Sequence, residues 1–394
     1  MRLLHTSDWH LGRYLQTVPL VEHQRDFLTW LGQLARERQV DAILISGDVY
    51  DRAIPSIDAV RLFQEGLVGL VEICPVVLIS GNHDSPTRLG FGGPLLEAAR
   101  VHLRSSVDDI DRPVELTNAD RTVLVYGLPY LEPEVVRTAL AAEKSHEAVL
   151  TAAMDRVRAD LAARREAAGN EGLPAPHAVV MAHAFITGGT ASDSERDVSV
   201  GGIADAPASV FNGVDYVALG HLHGPQQVGN AAGPLTRYSG SPLAYSFSEE
   251  SHEKSVTLVE IDAHGGVSTE IVRTPVPRSL RTITGDLADL LTDVALTEAE
   301  DSWVRAVVTD PRRPENPMES LRARFPHAIE LTWYPHVDGE PLPDVAARVD
   351  PASADPVEIV TSFIEHVTGQ PPDGVEQALI HSSVERVRIA EAAQ

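Results

Sequence analysis

AILISGDVYD (42–51) and VVLISGNHD (76–84) are built alike, each with a short apolar run, a Ser-Gly step and then a tight group of metal-seeking side chains. Apolar residues on consecutive positions suit strands buried on both faces of a sheet. The same plan recurs along the chain. Arg2–Thr6 leads into Asp8-Trp9-His10, Ala178–Ala182 into His183, and Tyr216–Leu219 into Gly220-His221-Leu222-His223. A further run, Thr122–Tyr126, carries no such group. In an open α/β sheet, ligands gather at the carboxyl ends of the strands, so groups far apart in sequence can converge there.

Helical patterns separate these runs. VEHQRDFLTWLGQLARERQV (21–40) places Phe27, Leu28, Leu31 and Leu34 at helical spacing. Asp58 is in position to cap a helix carrying Val60, Leu62, Phe63, Leu67 and Leu70. Strand–helix–strand alternation of this kind indicates an α/β core. The segment from Glu132 to about Ala168, rich in Ala, Glu, Lys and Arg, reads as helix inserted between core strands. TGGTASDSERDVSVGGIADAP (187–207) reads as a loop near the site, and the segment from Ser255 as a β-hairpin. Pro275 and Pro277 mark a linker that ends a first domain, 1–275. A smaller unit follows at 279–340, with strand-like WVRAVVTD and AIELTWYP around a helix at Met318–Arg324. A tail at 345–394 begins rich in Pro, Asp and Ala. It ends in two amphipathic helices, one carrying Ile359, Val360, Phe363, Ile364 and Val367, the other Val375, Leu379, Ile380 and Val384.

Composition narrows the class. The 394 residues are 43% hydrophobic, ample for packed cores, and two or three domains are expected. No apolar run reaches the length of a membrane span, and MRLLHTSDWH leaves no room for a secretion signal. The single cysteine, Cys74, sits in the apolar VEICPVVLIS, as a buried structural thiol would. These features point to a cytoplasmic protein. A formal net charge of -25 argues against an autonomous nucleic-acid binder. Residues 279–394 alone hold 9 Lys and Arg against 21 Asp and Glu. Two bound divalent cations would invert the sign locally, so weak DNA binding helped by a basic partner is compatible with this balance.

Residue types at the strand ends define the chemistry. Imidazoles, carboxylates and an amide oxygen without a thiolate suit Mn, Fe, Zn or Co, whereas Mg favours fewer histidines. Asp8 with His10, and His221 with His223, are spaced two apart, which lets both side chains turn to one point. A carboxylate shared by two ions about 3.5–4 Å apart gives the arrangement that hydrolyses phosphoesters. A histidine just outside the coordination shell can protonate the leaving oxygen.

The ordered series DxH, GDxxD, GNHD, H and GHxH resembles the calcineurin-like metallophosphoesterases. LHTSDWHLGRYL, SDSERDVSVGG and YSGSPLAYSFSEE further resemble its nuclease-subunit branch, which serves double-strand-break repair. The likeness covers about the first 260 residues. It implies a four-layer α/β sandwich, two mixed sheets flanked by helices, followed by a small α/β capping domain for DNA recognition and a helical tail. It also implies that Asp8, His10 and His223 hold one metal, Asn82, His183 and His221 the other, and that Asp48 bridges them. His83 would be the general acid or transition-state stabiliser, with Asp51 and Asp84 orienting groups around the ligands. Mn is the metal the resemblance favours, with Mg, Fe and Zn as alternatives. DNA is the implied substrate, and an ABC-type ATPase with a long coiled coil the implied partner of a homodimer. The amphipathic tail helices are the expected ATPase contact.

Some residues admit a plainer role. His5, inside the first run, reads as a core histidine, and Trp9 as packing beneath the site. Arg13 and Tyr14 are candidates for touching a DNA phosphate or sugar, and Tyr238 and Ser241 either line the groove or shape a turn. Two other functions remain open at this level. One is a phosphatase or cyclic-nucleotide phosphodiesterase using the same metals; the other is a non-catalytic scaffold, which an intact His83 and full ligand set oppose.

Overall fold

The computed structural model describes residues 1–118, 121–195, 205–229, 232–337, 340–341, 355–368 and 370–392. Residues 196–204 of the glycine-rich loop and 342–354 at the start of the expected tail lie outside this set, as does the side chain of Val367. Two compact units divide at the Pro275/Pro277 segment, Met1–Pro277 and Arg278–Gln394.

The first unit contains twelve principal strands. They are β1 (Arg2–Thr6), β2 (Ala42–Ser46), β3 (Val76–Ile79), β4 (Val101–Arg104), β5 (Val114–Asn118), β6 (Arg121–Leu128), β7 (His177–His183), β8 (Tyr216–Gly220), β9 (Gln226–Val228), β10 (Leu235–Tyr238), β11 (Ser255–Ile261) and β12 (Val267–Arg273). One sheet runs β12-β11-β1-β2-β3-β4 and the other β9-β10-β8-β7-β6-β5. Both are mixed. β1 to β4 are parallel while β11 and β12 pair antiparallel; β6, β7, β8 and β10 are parallel while β5 and β9 are antiparallel edges.

Alternation along each strand builds the layers. Ala42 and Leu44 of β2 join Leu3, Val77, Ile79, Val125, Val179, Met181, Tyr216 and Ala218 in a core between the sheets. Their neighbours Ile43 and Ile45 face the opposite way, into a core with α1 (Val21–Glu37) and α2 (Ile57–Val71). In the second sheet, Ala178, Val180, Val217 and Leu219 pack on α3 (Pro133–Leu140) and α4 (His146–Asn170). The result is the helix–sheet–sheet–helix sandwich expected from sequence. Because the central strands β1, β2, β3, β7 and β8 are buried on both faces, they read as continuous apolar runs.

Three local details differ from the sequence reading. Ser56, not Asp58, caps α2, its hydroxyl accepting from Ala59 N–H; Asp58 lies in the first turn, and Val60 faces outward. The stretch after Glu132 is two helices rather than one. Ala141 adopts φ 51°, ending α3, and the Ser145 hydroxyl accepts from Ala148 N–H to start α4. The pair is the crossover joining parallel strands β6 and β7, and so forms an outer layer.

The second unit holds a parallel sheet in the order β13 (Leu280–Gly285), β14 (Trp303–Val308), β15 (Ala328–Trp333), with α5 (Leu287–Thr292) and α6 (Pro317–Arg324) between strands. Ile283, Leu290, Val304, Ala306, Leu321 and Phe325 form its core. Two further helices, α7 (Pro356–Thr368) and α8 (Gly374–Ala392), pack on each other and leave Phe363, Val375 and Leu379 exposed. No helix among the described residues is long and apolar enough to cross a membrane.

Leu44 is fully buried at the centre of the inter-sheet core. Leu44→Ala is expected to lower stability by about 2–5 kcal/mol in urea unfolding of the full chain. A loss within error would mean that the two sheets do not pack face to face there.

Candidate metal centre

Each of the five polar clusters lies at the carboxyl end of a strand: β1, β2, β3, β7 and β8. The first two loops run side by side. Asp8 N–H donates to the Gly47 carbonyl at 3.1 Å, His10 N–H to Asp48 at 2.9 Å and Leu11 N–H to Val49 at 2.9 Å. Four residues here have left-handed backbone: Asp8 (φ 53°), His10 (43°), Asp48 (46°) and His221 (109°). Such conformations each cost on the order of 1–3 kcal/mol and persist where surrounding contacts dictate them.

Gly81 and Gly220 are required by close approach. A Cβ on Gly81 would lie 2.2 Å from Asp48 Oδ1, and one on Gly220 would lie 1.9 Å from the Ser46 carbonyl oxygen. Gly81 thus admits the Asp48 carboxylate. Gly220 lets the end of β8 touch the end of β2 in the other sheet.

All seven sequence-predicted ligands come together. Asp8, His10 and His223 form one group of mutually close ligand atoms, and Asp8, Asp48 and His183 another. His10 Nε2 lies 3.1 Å from His223 Nε2. Asp48 Oδ2 faces His10 Nε2 at 3.6 Å on one side and His183 Nε2 at 3.4 Å on the other. Asn82 Oδ1 lies 2.9 Å from His183 Nε2 and 3.2 Å from His221 Nδ1. Both oxygens of Asp8 accept the His221 backbone N–H, at 3.0 and 3.2 Å. His183 donates from Nδ1 to the Ser46 carbonyl at 2.9 Å, which turns Nε2 toward Asp48. His83 is close by, grouped with His10 and Asp48, its ring 4.6 Å from that of His10 and edge-to-face with it. Its Nδ1 donates to the Asp51 carbonyl at 2.8 Å, and its backbone N–H to Asp48 Oδ1 at 2.8 Å.

The surrounding carboxylates hold loops. Asp84 accepts from Val49, Tyr50 and Gly81 N–H at 3.1, 2.9 and 2.9 Å, tying the second cluster to the third. Asp51 Oδ1 lies 3.7 Å from His10 Nδ1 and accepts from Arg13 at 3.3 Å. Arg13 points inward: it also donates to the Ser194 carbonyl at 3.0 Å and stacks over the Tyr245 ring. Tyr14 is exposed at the surface. His5 is a core histidine, bonded to the Tyr216 hydroxyl at 3.0 Å and the Leu219 carbonyl at 3.1 Å. Trp9 is fully buried beneath the site, against Phe27. Tyr238 and Ser241 are buried, their hydroxyls donating to the Ala184 and Leu243 carbonyls.

Sequence reasoning missed several supports. Gln24 donates to the Trp9 and His10 carbonyls at 3.1 and 2.8 Å, fixing the first loop from α1. The Tyr245 hydroxyl donates to the same Trp9 carbonyl at 2.5 Å. Ser194 Oγ lies 2.6 Å from His223 Nδ1 and donates to Glu249, which pairs with Lys254. The only signal for these was their position in stretches near a cluster, since polar residues in loops ordinarily face solvent.

The electrostatics fit cations. Burial pushes Asp8 up to about 6. Burial acts on Asp48 in the same direction, but His183, His10 and His83 around it prevail and hold it well below the usual carboxylate range. Burial keeps His10 well below its ordinary value and takes His221 down to about 3, so both offer lone pairs. Burial would also lower His183, but Asp48 beside it outweighs that and raises it to about 9. Divalent ions would bind the buried carboxylates and the imidazole nitrogens gathered here, displacing the proton that His183 otherwise holds against Asp48.

The chain is similar to known proteins. Residues 1–225 match the family described as calcineurin-like phosphoesterase, and residues 276–368 match the type 5 capsule protein repressor C-terminal domain. A curated relative from Staphylococcus epidermidis, the SbcD subunit of the nuclease SbcCD, is 28% identical over 374 residues, covering 94% of each chain. Among solved structures, a protein from Thermus thermophilus is 16% identical, with a TM-score of 0.39 over 69% of this chain and 99% of its own. A dimetal phosphatase from Danio rerio is 12% identical, with a TM-score of 0.40 over 70% of this chain and 99% of its own. With more than half its length matched and the family's ordered ligand clusters folded into one centre, the chain belongs to the calcineurin-like phosphoesterases.

Proposed function

We propose that this protein is a metal-dependent nuclease that hydrolyses phosphodiester bonds in DNA. The observation that carries the reading is Asp48, whose Oδ2 faces His10 on one side and His183 on the other. One carboxylate oxygen between two sets of imidazoles is the geometry of a bridging ligand. Asp8, His10 and His223 would then hold one divalent ion, and Asn82, His183 and His221 the second; Mn is the expected metal, with Mg, Fe and Zn as alternatives. When bound, such a pair acts as a Lewis acid on the phosphate and makes a water acidic enough to attack it.

The chain's own groups supply the rest. Asp84 and Gln24 keep the ligand loops in register through backbone hydrogen bonds. With Nδ1–H donated to the Asp51 carbonyl, His83 presents Nε2, which in the doubly protonated ring gives a proton to the leaving oxygen or steadies the transition state. Exposed Tyr14 is a candidate for meeting the substrate, whereas Arg13 serves the site by bracing Asp51 and the Ser194 carbonyl.

Support for DNA as substrate, over a small phosphate ester, comes from the Staphylococcus relative, which is named for a nuclease and aligns through the second unit as well as the first. Its name, SbcCD, favours a finer reading. In it the protein cuts duplex ends as an exonuclease and single strands or hairpins as an endonuclease, in repair, recombination and replication. It works in the cytoplasm on nucleoid DNA, as a homodimer with an SbcC-like ABC-type ATPase bearing a coiled coil. Residues 279–340 act as the DNA-recognition cap and 345–394 as the ATPase-binding tail. The net charge of -25 agrees with weak DNA binding until a basic partner joins.

His83→Ala is expected to retain two metals by elemental analysis while Mn-dependent DNA cleavage falls about 100- to 10,000-fold. Normal cutting by that variant would remove the acid role and leave the ligand set intact. Asp48→Asn, by contrast, is expected to carry at most one metal per chain. Wild-type protein should cleave DNA; activity confined to bis-p-nitrophenyl phosphate would favour a phosphatase-type enzyme instead.

A further inference from the structure

Behind His223 lies a pair of opposite charges with no role in holding metal. Glu249 and Lys254 are 1% and 4% exposed and bonded to each other. The three protons of Lys254 Nζ all have acceptors: Glu249 Oε2, Ser241 Oγ at 2.8 Å and the main-chain carbonyl of His223 at 2.9 Å. Ser241 donates its own hydroxyl hydrogen bond to the Leu243 carbonyl, so its oxygen accepts from the lysine. On the other side, Glu249 Oε1 accepts from Tyr245 N–H at 3.1 Å and from Ser194 Oγ at 2.5 Å. Ser194 has one hydroxyl proton. With that proton donated to the Glu249 carboxylate rather than to Ser192 Oγ at 2.8 Å, whose own proton goes to Glu195, the Ser194 oxygen accepts from His223 Nδ1–H at 2.6 Å.

Proton counting then fixes the histidine. A neutral imidazole carries one N–H, and placing it on Nδ1 leaves the Nε2 lone pair turned to His10 and Asp8. We propose that the Glu249–Lys254 pair is a positioning device for His223, gripping its backbone carbonyl through the lysine and setting its tautomer through Ser194. The inference rests on reading the centre as a metal site. Stability alone does not account for the pair, because a buried ion pair is often replaceable by apolar residues at no loss. Both of its charges reach the same histidine, and groups that orient a metal-binding imidazole typically set affinity by about 10- to 100-fold.

The test is calorimetric titration of the full chain with manganese chloride, comparing wild type with the double variant Glu249→Leu/Lys254→Met. That exchange removes both charges together, leaving neither one buried alone. The proposal expects a cooperatively folded variant in which one of two Mn2+ binding events weakens about 10- to 100-fold and the other is unchanged. Glu249→Gln, which keeps an oxygen acceptor for Ser194, should recover part of the loss. Two sites of wild-type affinity in the double variant would overturn the proposal, as would equal weakening of both. Should the double variant fail to fold, Ser194→Ala reads the relay with the ion pair in place: selective weakening of one site supports the proposal and unchanged affinity overturns it. A wild-type chain that binds no Mn2+ would instead strike at the metal reading, and the positioning role would go with it.

Discussion

The centre depends on one joint between the two sheets, at Ser46. This residue ends β2 in the first sheet, yet its hydroxyl and its carbonyl both serve the second. Its hydroxyl donates to the Ala218 carbonyl at 2.9 Å, and its carbonyl accepts from His183 Nδ1 at 2.9 Å. Gly220 lies against the same carbonyl because it has no side chain. Apolar packing between the sheets is non-directional and would allow sliding. These hydrogen bonds and this close approach supply the direction, bringing the carboxyl ends of β2, β7 and β8 together so that Asp48 meets His183.

Around that joint, conformational cost and electrostatic cost are concentrated in a few residues. Asp8, His10, Asp48 and His221 hold left-handed backbone, and most of the ligands are buried. The ordinary interior compensates: three apolar cores in the first unit are formed by strands that bury both faces. Local rules are broken at the site and kept elsewhere, the division expected where function opposes propensity.

Legibility in sequence follows the same line. Strands buried on both faces leave consecutive apolar runs, and polar groups at strand ends leave compact clusters, so β1, β2, β3, β7 and β8 and the clusters that hold the seven candidate ligands could be read directly. Strand β13, LRTITG, could not, because it is only half buried and its polar positions interrupt the pattern. The break at Ala141 was hidden because neither Gly nor Pro marks it; tertiary packing sets that residue's conformation. Ser56 outranked Asp58 as a cap only through where the helix begins. Glu249 and Lys254 carry no signal within SFSEESHEK, since contact with His223 arises only once distant segments have met. Arg13 likewise looked free to reach outward until Asp51 and the Ser194 carbonyl were seen to occupy it.

The pairing of β1 also bears on biosynthesis. Leu4 lies between Ile43 of β2 and Leu258 of β11, and the amino terminus of Met1 donates to the Ile261 carbonyl at 2.8 Å. The opening residues therefore wait for a neighbour that leaves the ribosome more than two hundred residues later. Until then one edge of β1 stays unpaired. In a nascent chain, β1 therefore gains its second neighbour only after every candidate ligand, the last being His223, has been made.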